Sequence, residues 1–291
     1  MTQFVELERR SVETIERHLA AYPKAMHMWR LMTIDREVKA SWEMADFIAT
    51  QKLGMNDHGE THAMVAAASA LTMLALLEEG TVKTDFVAAG FGDPDDSALI
   101  VLAAALCHDF GNQIHRDDHV DTGIALVLPI LDRLLSQIYP DAGQRTRIRA
   151  GVLQAMYSHH GEPKPITIEA ALVCIADATD MTKGRGRAAF DRGSISIHSV
   201  SALSIERVEI RKGAEKPIEI RISMANSAGI FQVQEILAPK VLAGPLAPHV
   251  DVAAVTEPGG GEYERRIVRG IRMENGKFVP CGNEGLQEKP D

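Results

Sequence analysis

The chain has 291 residues, 45% of them hydrophobic, and a formal net charge of −9. That is enough apolar chain for one large domain or two ordinary ones. The acidic balance argues against stable nucleic-acid binding, which needs clustered Lys and Arg, but it leaves room for a small anion at a centre whose metal brings its own positive charge.

Cys107, Cys174 and Cys281 are scattered, two of them inside apolar runs, so a disulfide framework is not expected and the usage suits a reducing cytosol. Residues 1–10 carry charges where a signal peptide would be apolar. The longest apolar run, residues 98–107, is far short of a membrane span. A cytoplasmic protein without a membrane partner is expected.

Up to about residue 185 the chain reads as helix. Residues 5–21 are amphipathic and end before Pro23. Residues 34–53 place Val38, Trp42, Ala45, Ile48 and Ala49 near helical period. Residues 61–79 are rich in Ala, Leu and Met and stop at Gly80. An acidic capping stretch at 93–97 opens the next helix, which runs into His108 and is apolar all round, so it has to be buried. Helices over 121–138, 142–158 and 166–181 follow.

After Lys183-Gly184-Arg185-Gly186-Arg187 the character changes. Residues 205–210 and 218–222 alternate apolar and charged side chains, as half-exposed strands do, with a hairpin turn at 212–217. A helix is expected over 230–242 and further strands over 249–255 and 265–272. Residues 258–261 read as a loose loop, and the polar tail beyond Gly282 as disordered. The expected architecture is mainly α: a helical bundle at 1–187, a small α+β domain at 188–280 serving dimerisation or as a lid, and a flexible tail at 281–291.

Seven of the eleven histidines fall between His58 and His160. Imidazole nitrogen and carboxylate oxygen bind borderline divalent metals, and helix tips can converge on one point. His62 lies in the first turn of its helix with His58 a turn earlier. His108-Asp109 ends the buried helix, where an aspartate is costly unless paired or metal-bound. Gly111 just after lets that helix stop and the backbone turn. His159-His160 offers either two ligands or a polar helix end with solvated rings. His115 reads as a surface loop residue, and His198 and His249 as isolated structural ones.

His62, His108-Asp109 and Asp177, in that order on expected helices, resemble the H…HD…D signature of the HD-domain superfamily of metal-dependent phosphohydrolases. His119, opening His-Val-Asp-Thr-Gly, and His159-His160-Gly161-Glu162 are similar to the "HPxxG" and "HHE" elements of the HD-GYP branch, where extra histidines supply a second metal. Two departures stand out. That branch's lysine three residues after the HD aspartate is Asn112 here, and nothing after Glu162 matches its GYP loop. The run from Asp177 through "DMTKGRGR" to "MANSAGIFQVQEIL" resembles an archaeal and bacterial family in which an HD domain precedes a small α+β domain.

The resemblance implies two divalent transition-metal ions per chain (Mn, Fe, Ni, Co or Zn, with Mg also admissible). His62, His108 and Asp177 would hold one ion and His119, His159 and His160 the other. Asp109 would bridge them as the catalytic residue. His58 would lie behind the ligands, Asp57 and Asp180 would orient ligand imidazoles by accepting their second N–H, and Lys183, Arg185 and Asn112 would bind substrate phosphate; Asp180 reads equally as a local cap or pair. Lys183, Arg185 and Arg187 read equally as a solvated basic linker.

The implied activity is hydrolysis of a phosphomonoester or phosphodiester, nucleotide-like in chemistry, with metal-bound hydroxide as nucleophile. His115 or His58 would protonate the leaving group, and the protein is expected as a homodimer or higher homo-oligomer. The rival expectations are an HD-type di-iron oxygenase and a non-catalytic nucleotide-binding sensor.

Overall fold

The structure, a computed structural model, describes residues 3–182, 201–256, 270–274 and 276–280. The basic run at 183–187, the loop at 258–261 and the tail lie outside the described residues.

The first helix, α1 (Gln3–Leu19), puts Ile15 and Leu19 into the core. Pro23 does more than end it. It opens a further helix, α2 (Pro23–Ile34), in whose first turn a missing N–H costs nothing. The Asp95 carboxylate accepts from the Lys24 and Ala25 N–H groups there, each at 2.9 Å. Asp35 then caps α3 (Arg36–Asp46) by accepting from the Glu37 and Val38 N–H groups. The single helix expected over 34–53 is therefore the last residue of α2, then α3, then a π-helical turn at Phe47–Lys52.

Next come α4 (Glu60–Glu79), the short α5 (Asp85–Ala88), α6 (Pro94–Cys107), α7 (His119–Leu135), α8 (Ala142–Tyr157) and α9 (Ile168–Thr179). α6 is the axis of the bundle: every residue from Asp95 to Cys107 is buried, as its all-round apolar face requires, and α2, α4, α8 and α9 pack around it. Among the described helices α4 is long and apolar enough to cross a membrane, but α1, α6 and α9 cover it. Glu169 of α9, 1% exposed, ties the far end together by accepting from the Asp85 and Phe86 N–H groups and the Ser97 hydroxyl.

The C-terminal part is a five-stranded sheet in the order β1 (Ile205–Lys212), β2 (Ile218–Met224), β3 (Val250–Thr256), β4 (Gly270–Glu274) and β5 (Lys277–Pro280). β1 and β2 form the expected antiparallel hairpin. β2 and β3 run parallel, and the chain between them forms a π-helical stretch (Gln232–Leu237) and α10 (Ala238–Ala243). The remaining pairs are antiparallel, and β5 is an addition to the expected strands. β1 and β2 lie against α4, with Gly80 under Pro217, while α10 lies on α9. Ile218, Ile220, Ile222 and Met224 form the inner face of β2.

Candidate metal centre

α6 points its C-terminal end at the centre of the bundle, and the chain holds that end in place. The Trp42 indole N–H donates to the Leu106 carbonyl at 2.7 Å, satisfying an acceptor the helix end leaves open. Its ring meets Phe110 edge-on, centroids 6.4 Å apart. A 3-10 turn at Phe110–Gln113 then leads toward α7. Gly111 has no left-handed backbone here. It is needed because its Cα lies against the first turn of α7: a Cβ would fall 1.7 Å from the His119 carbonyl oxygen.

Four histidines are oriented by one device. His108 Nδ1 lies 2.8 Å from the Ala105 carbonyl, His119 Nδ1 2.9 Å from that of Arg116, and His159 Nδ1 2.6 Å from that of Met156. His62 Nδ1 lies 2.7 Å from Asp180 Oδ2. A carbonyl or carboxylate only accepts, so each Nδ1 carries a proton, and in the neutral ring each Nε2 keeps a lone pair. His160 Nε2 faces the Arg116 guanidinium at 3.2 Å, a group that only donates, and so presents a lone pair too. Burial pushes the His119 and His159 imidazoles below their ordinary range and His160 down to about 4, so all three are neutral near pH 7.

These lone pairs face one another and two carboxylates. His62 Nε2 is 3.1 Å from both His108 Nε2 and Asp177 Oδ1, and His108 Nε2 is 3.6 Å from the same oxygen. Asp109 divides its oxygens. Oδ2 lies 3.4 Å from His62 Nε2 and from His108 Nε2, while Oδ1 lies 3.6 Å from His119 Nε2 and 4.0 Å from His159 Nε2. His119, His159 and His160 offer a second set of three nitrogens. His159 Nε2 is fully buried with no hydrogen-bond partner among the described residues. Acceptors crowded so closely repel unless a cation lies among them, and nitrogen with carboxylate oxygen is a donor set for divalent transition metals. The residues fit a divalent metal.

All seven residues expected as ligands thus lie together, and the Asp180 carboxylate lies against His62 Nδ1. Other expectations change. Asn112, expected at substrate phosphate, is 1% exposed, and its amide donates to the Asp109 carbonyl and, at 2.8 Å, to Asp109 Oδ1, so it steers the carboxylate. Asp57 accepts from the Gly59 and His62 backbone N–H groups, fixing the start of α4. His58 is buried beside His62, ring centroids 5.8 Å apart, whereas His115 is exposed in the loop before α7.

Two cations at the cluster are not among the expected site residues. The Arg116 guanidinium lies 3.3 Å from His119 Nε2 and 3.7 Å from Asp109 Oδ1. Its position between the HD pair and His119 in the sequence is the available clue. Lys240, on α10, donates to Asp177 Oδ2 at 2.5 Å, and no local pattern marks it.

The start of α4 also stores a pH dependence. Burial, with the Asp57 carboxylate beside it, pushes Asp46 up to about 6. The folded chain therefore keeps a proton there that the unfolded chain has already lost, and stability falls as pH rises from about 4 to about 6. Asp46→Asn should gain on the order of 1 kcal/mol relative to the parent above pH 6 and nothing below pH 4. Urea unfolding at pH 3.5 and pH 7.5 checks this; an equal effect at both pH values rejects it.

Fold and site define a class: a helical protein with a buried histidine–carboxylate cluster where its helix ends meet. The chain belongs to the HD-domain family. The HD domain pattern matches residues 62–182, from the first histidine of the cluster to just past Asp180. An uncharacterized protein of Methanocaldococcus jannaschii is 41% identical over 223 residues, 77% of this chain and 86% of the relative. The HD superfamily consists mostly of metal-dependent phosphohydrolases. No solved structure matches the chain.

Proposed function

We propose that this protein is a binuclear metal-dependent phosphohydrolase acting on a phosphomonoester or phosphodiester, nucleotide-like in chemistry. The observation that carries this reading is the division of Asp109, one oxygen turned to His62 and His108 and the other to His119 and His159. His62, His108 and Asp177 would hold one divalent ion, His119, His159 and His160 the other, and Asp109 both. When bound, the ions supply Lewis acidity, bringing the ionisation of water toward neutral pH and offsetting phosphoryl charge.

The chain's own groups do the rest. The three carbonyls and Asp180 lock the imidazoles in the tautomer that faces inward. Asn112 sets the rotation of the Asp109 carboxylate. Arg116, always charged and planar, supplies a fork for phosphate oxygens beside the second donor set, the role expected of Lys183 and Arg185. His58 is better placed than His115 to protonate a leaving group, since it packs against His62.

The test begins with the chelator-stripped protein reloaded with manganese. Two ions per chain are expected, with hydrolysis of p-nitrophenyl phosphate, bis(p-nitrophenyl) phosphate or a panel of nucleotides that EDTA abolishes. Oxygen uptake by the iron-loaded protein without phosphoester cleavage would overturn this in favour of an oxygenase. Tight nucleotide binding with no turnover under any metal would leave a sensor.

A further inference from the structure

Lys240 comes from the sheet-bearing part of the chain, 63 residues beyond Asp177, yet its ammonium sits at the cluster. It donates to Asp177 Oδ2 at 2.5 Å and to the His159 carbonyl at 2.9 Å, with only 12% of its side chain exposed. Asp177 is thereby split between two duties. Oδ2 is held by Lys240, and Oδ1 is left facing His62 and His108.

The second contact matters as much as the first. The His159 carbonyl belongs to the His159-His160 pair at the end of α8, whereas Asp177 lies near the end of α9. One ammonium therefore ties together two ligand-bearing ends. The lysine stem passes Gly161, where a Cβ would lie 3.8 Å from Lys240 Cγ. α10 is anchored by the fully buried Leu237, Val241 and Leu246, and Gly244 fits closely under Pro165 and Ala171. The lysine is thus delivered by packing between the two parts of the chain, not by a mobile arm.

We propose that Lys240 is a positioning residue of the metal centre and that the sheet-bearing part of the chain completes that centre by fixing Asp177 to one ligand oxygen. This rests on the metal reading above. Outer partners that orient ligands cost about 10–100-fold in metal affinity when removed.

The experiment is titration of the full-length apoprotein with cobalt(II) alone, followed by calorimetry and by the visible absorption spectrum. Lys240→Met, which keeps the stem, should weaken cobalt binding at one of the two ions by about 10-fold or more and change the absorption of that ion. Lys240→Arg should restore most of both. Lys240→Gln replaces the methionine variant if the latter fails to fold, as judged by circular dichroism and thermal melting.

Unchanged affinity and spectrum in a folded variant would reduce Lys240 to a structural tether. Tighter binding would make it a cation that competes with the metal, and either result overturns the proposal. Failure of the parent protein to bind cobalt would instead sink the metal reading itself.

Discussion

Asp109→Ala is expected to abolish binding of both ions and lower turnover by roughly 10³-fold or more, the scale of losing a principal electrostatic group in a buried site. Asp109 is the carboxylate that turns one oxygen to each donor set. With it gone, His62 and His108 keep Asp177, but His119, His159 and His160 keep only one another. Three neutral imidazoles without a carboxylate are a weaker site for a divalent ion, and the first set has lost half its negative charge. Elemental analysis of the variant, loaded beside the parent, reads the outcome directly. Two ions and full activity in Asp109→Ala would remove the bridging assignment.

The fold itself should survive this substitution. Asp109 is 7% exposed and held by Asn112 and Arg116, so its loss leaves both short of a partner, at a cost that the 29% exposed Arg116 side chain softens. The metal-free variant should therefore melt modestly below the parent, while the melting-point gain on adding manganese, present in the parent, should vanish. That contrast separates a lost ligand from a damaged protein.

Gly111→Ala is expected to do the opposite: harm the fold first and the second ion through it. The added methyl would lie 1.7 Å from the His119 carbonyl oxygen, 2.5 Å from its carbon and 2.7 Å from the Gly123 nitrogen. All three are backbone atoms, so no side chain can rotate away. Either the 3-10 turn after Asp109 or the first turn of α7 has to shift, and His119 moves with the latter. Overpacking costs about 1–3 kcal/mol, and a backbone clash belongs at or above the top of that range. For a chain of this size that is a fall in melting temperature of roughly 10 °C. The surviving folded protein should bind one ion well and the other poorly. A variant with parental stability and two tight ions would show that α7 does not rest on Gly111.

Much of this architecture is legible in the order of the residues. An all-round apolar helix ending in His108-Asp109 has one place to go, the centre of the bundle, and α6 occupies it. The cap at Asp93 and the alternation over β1 and β2 are readable because caps and periods are local, set within four residues or by every second one. The expected ligand set follows from the resemblance to a known signature.

Local rules mislead where a residue serves two elements. Pro23 reads as a stop and is also a start, and Asp35 ends one helix while capping the next. Asn112 reads as a phosphate ligand by its place in a motif, and only the turn after α6 shows its amide on Asp109. Gly111 reads as backbone freedom, but what it provides is room, which depends on a helix that begins eight residues later.

By itself the sequence determined which residues can bind metal, the order of the helices that carry them and the buried axis on which they hang. These are properties of residue type and short-range pattern. Tertiary structure alone decided that Asn112 turns its amide on Asp109, that Trp42 closes the end of α6 across 64 residues, and that Lys240 reaches Asp177 across 63. Such contacts are set by how apolar faces pack, which no window of neighbouring residues encodes.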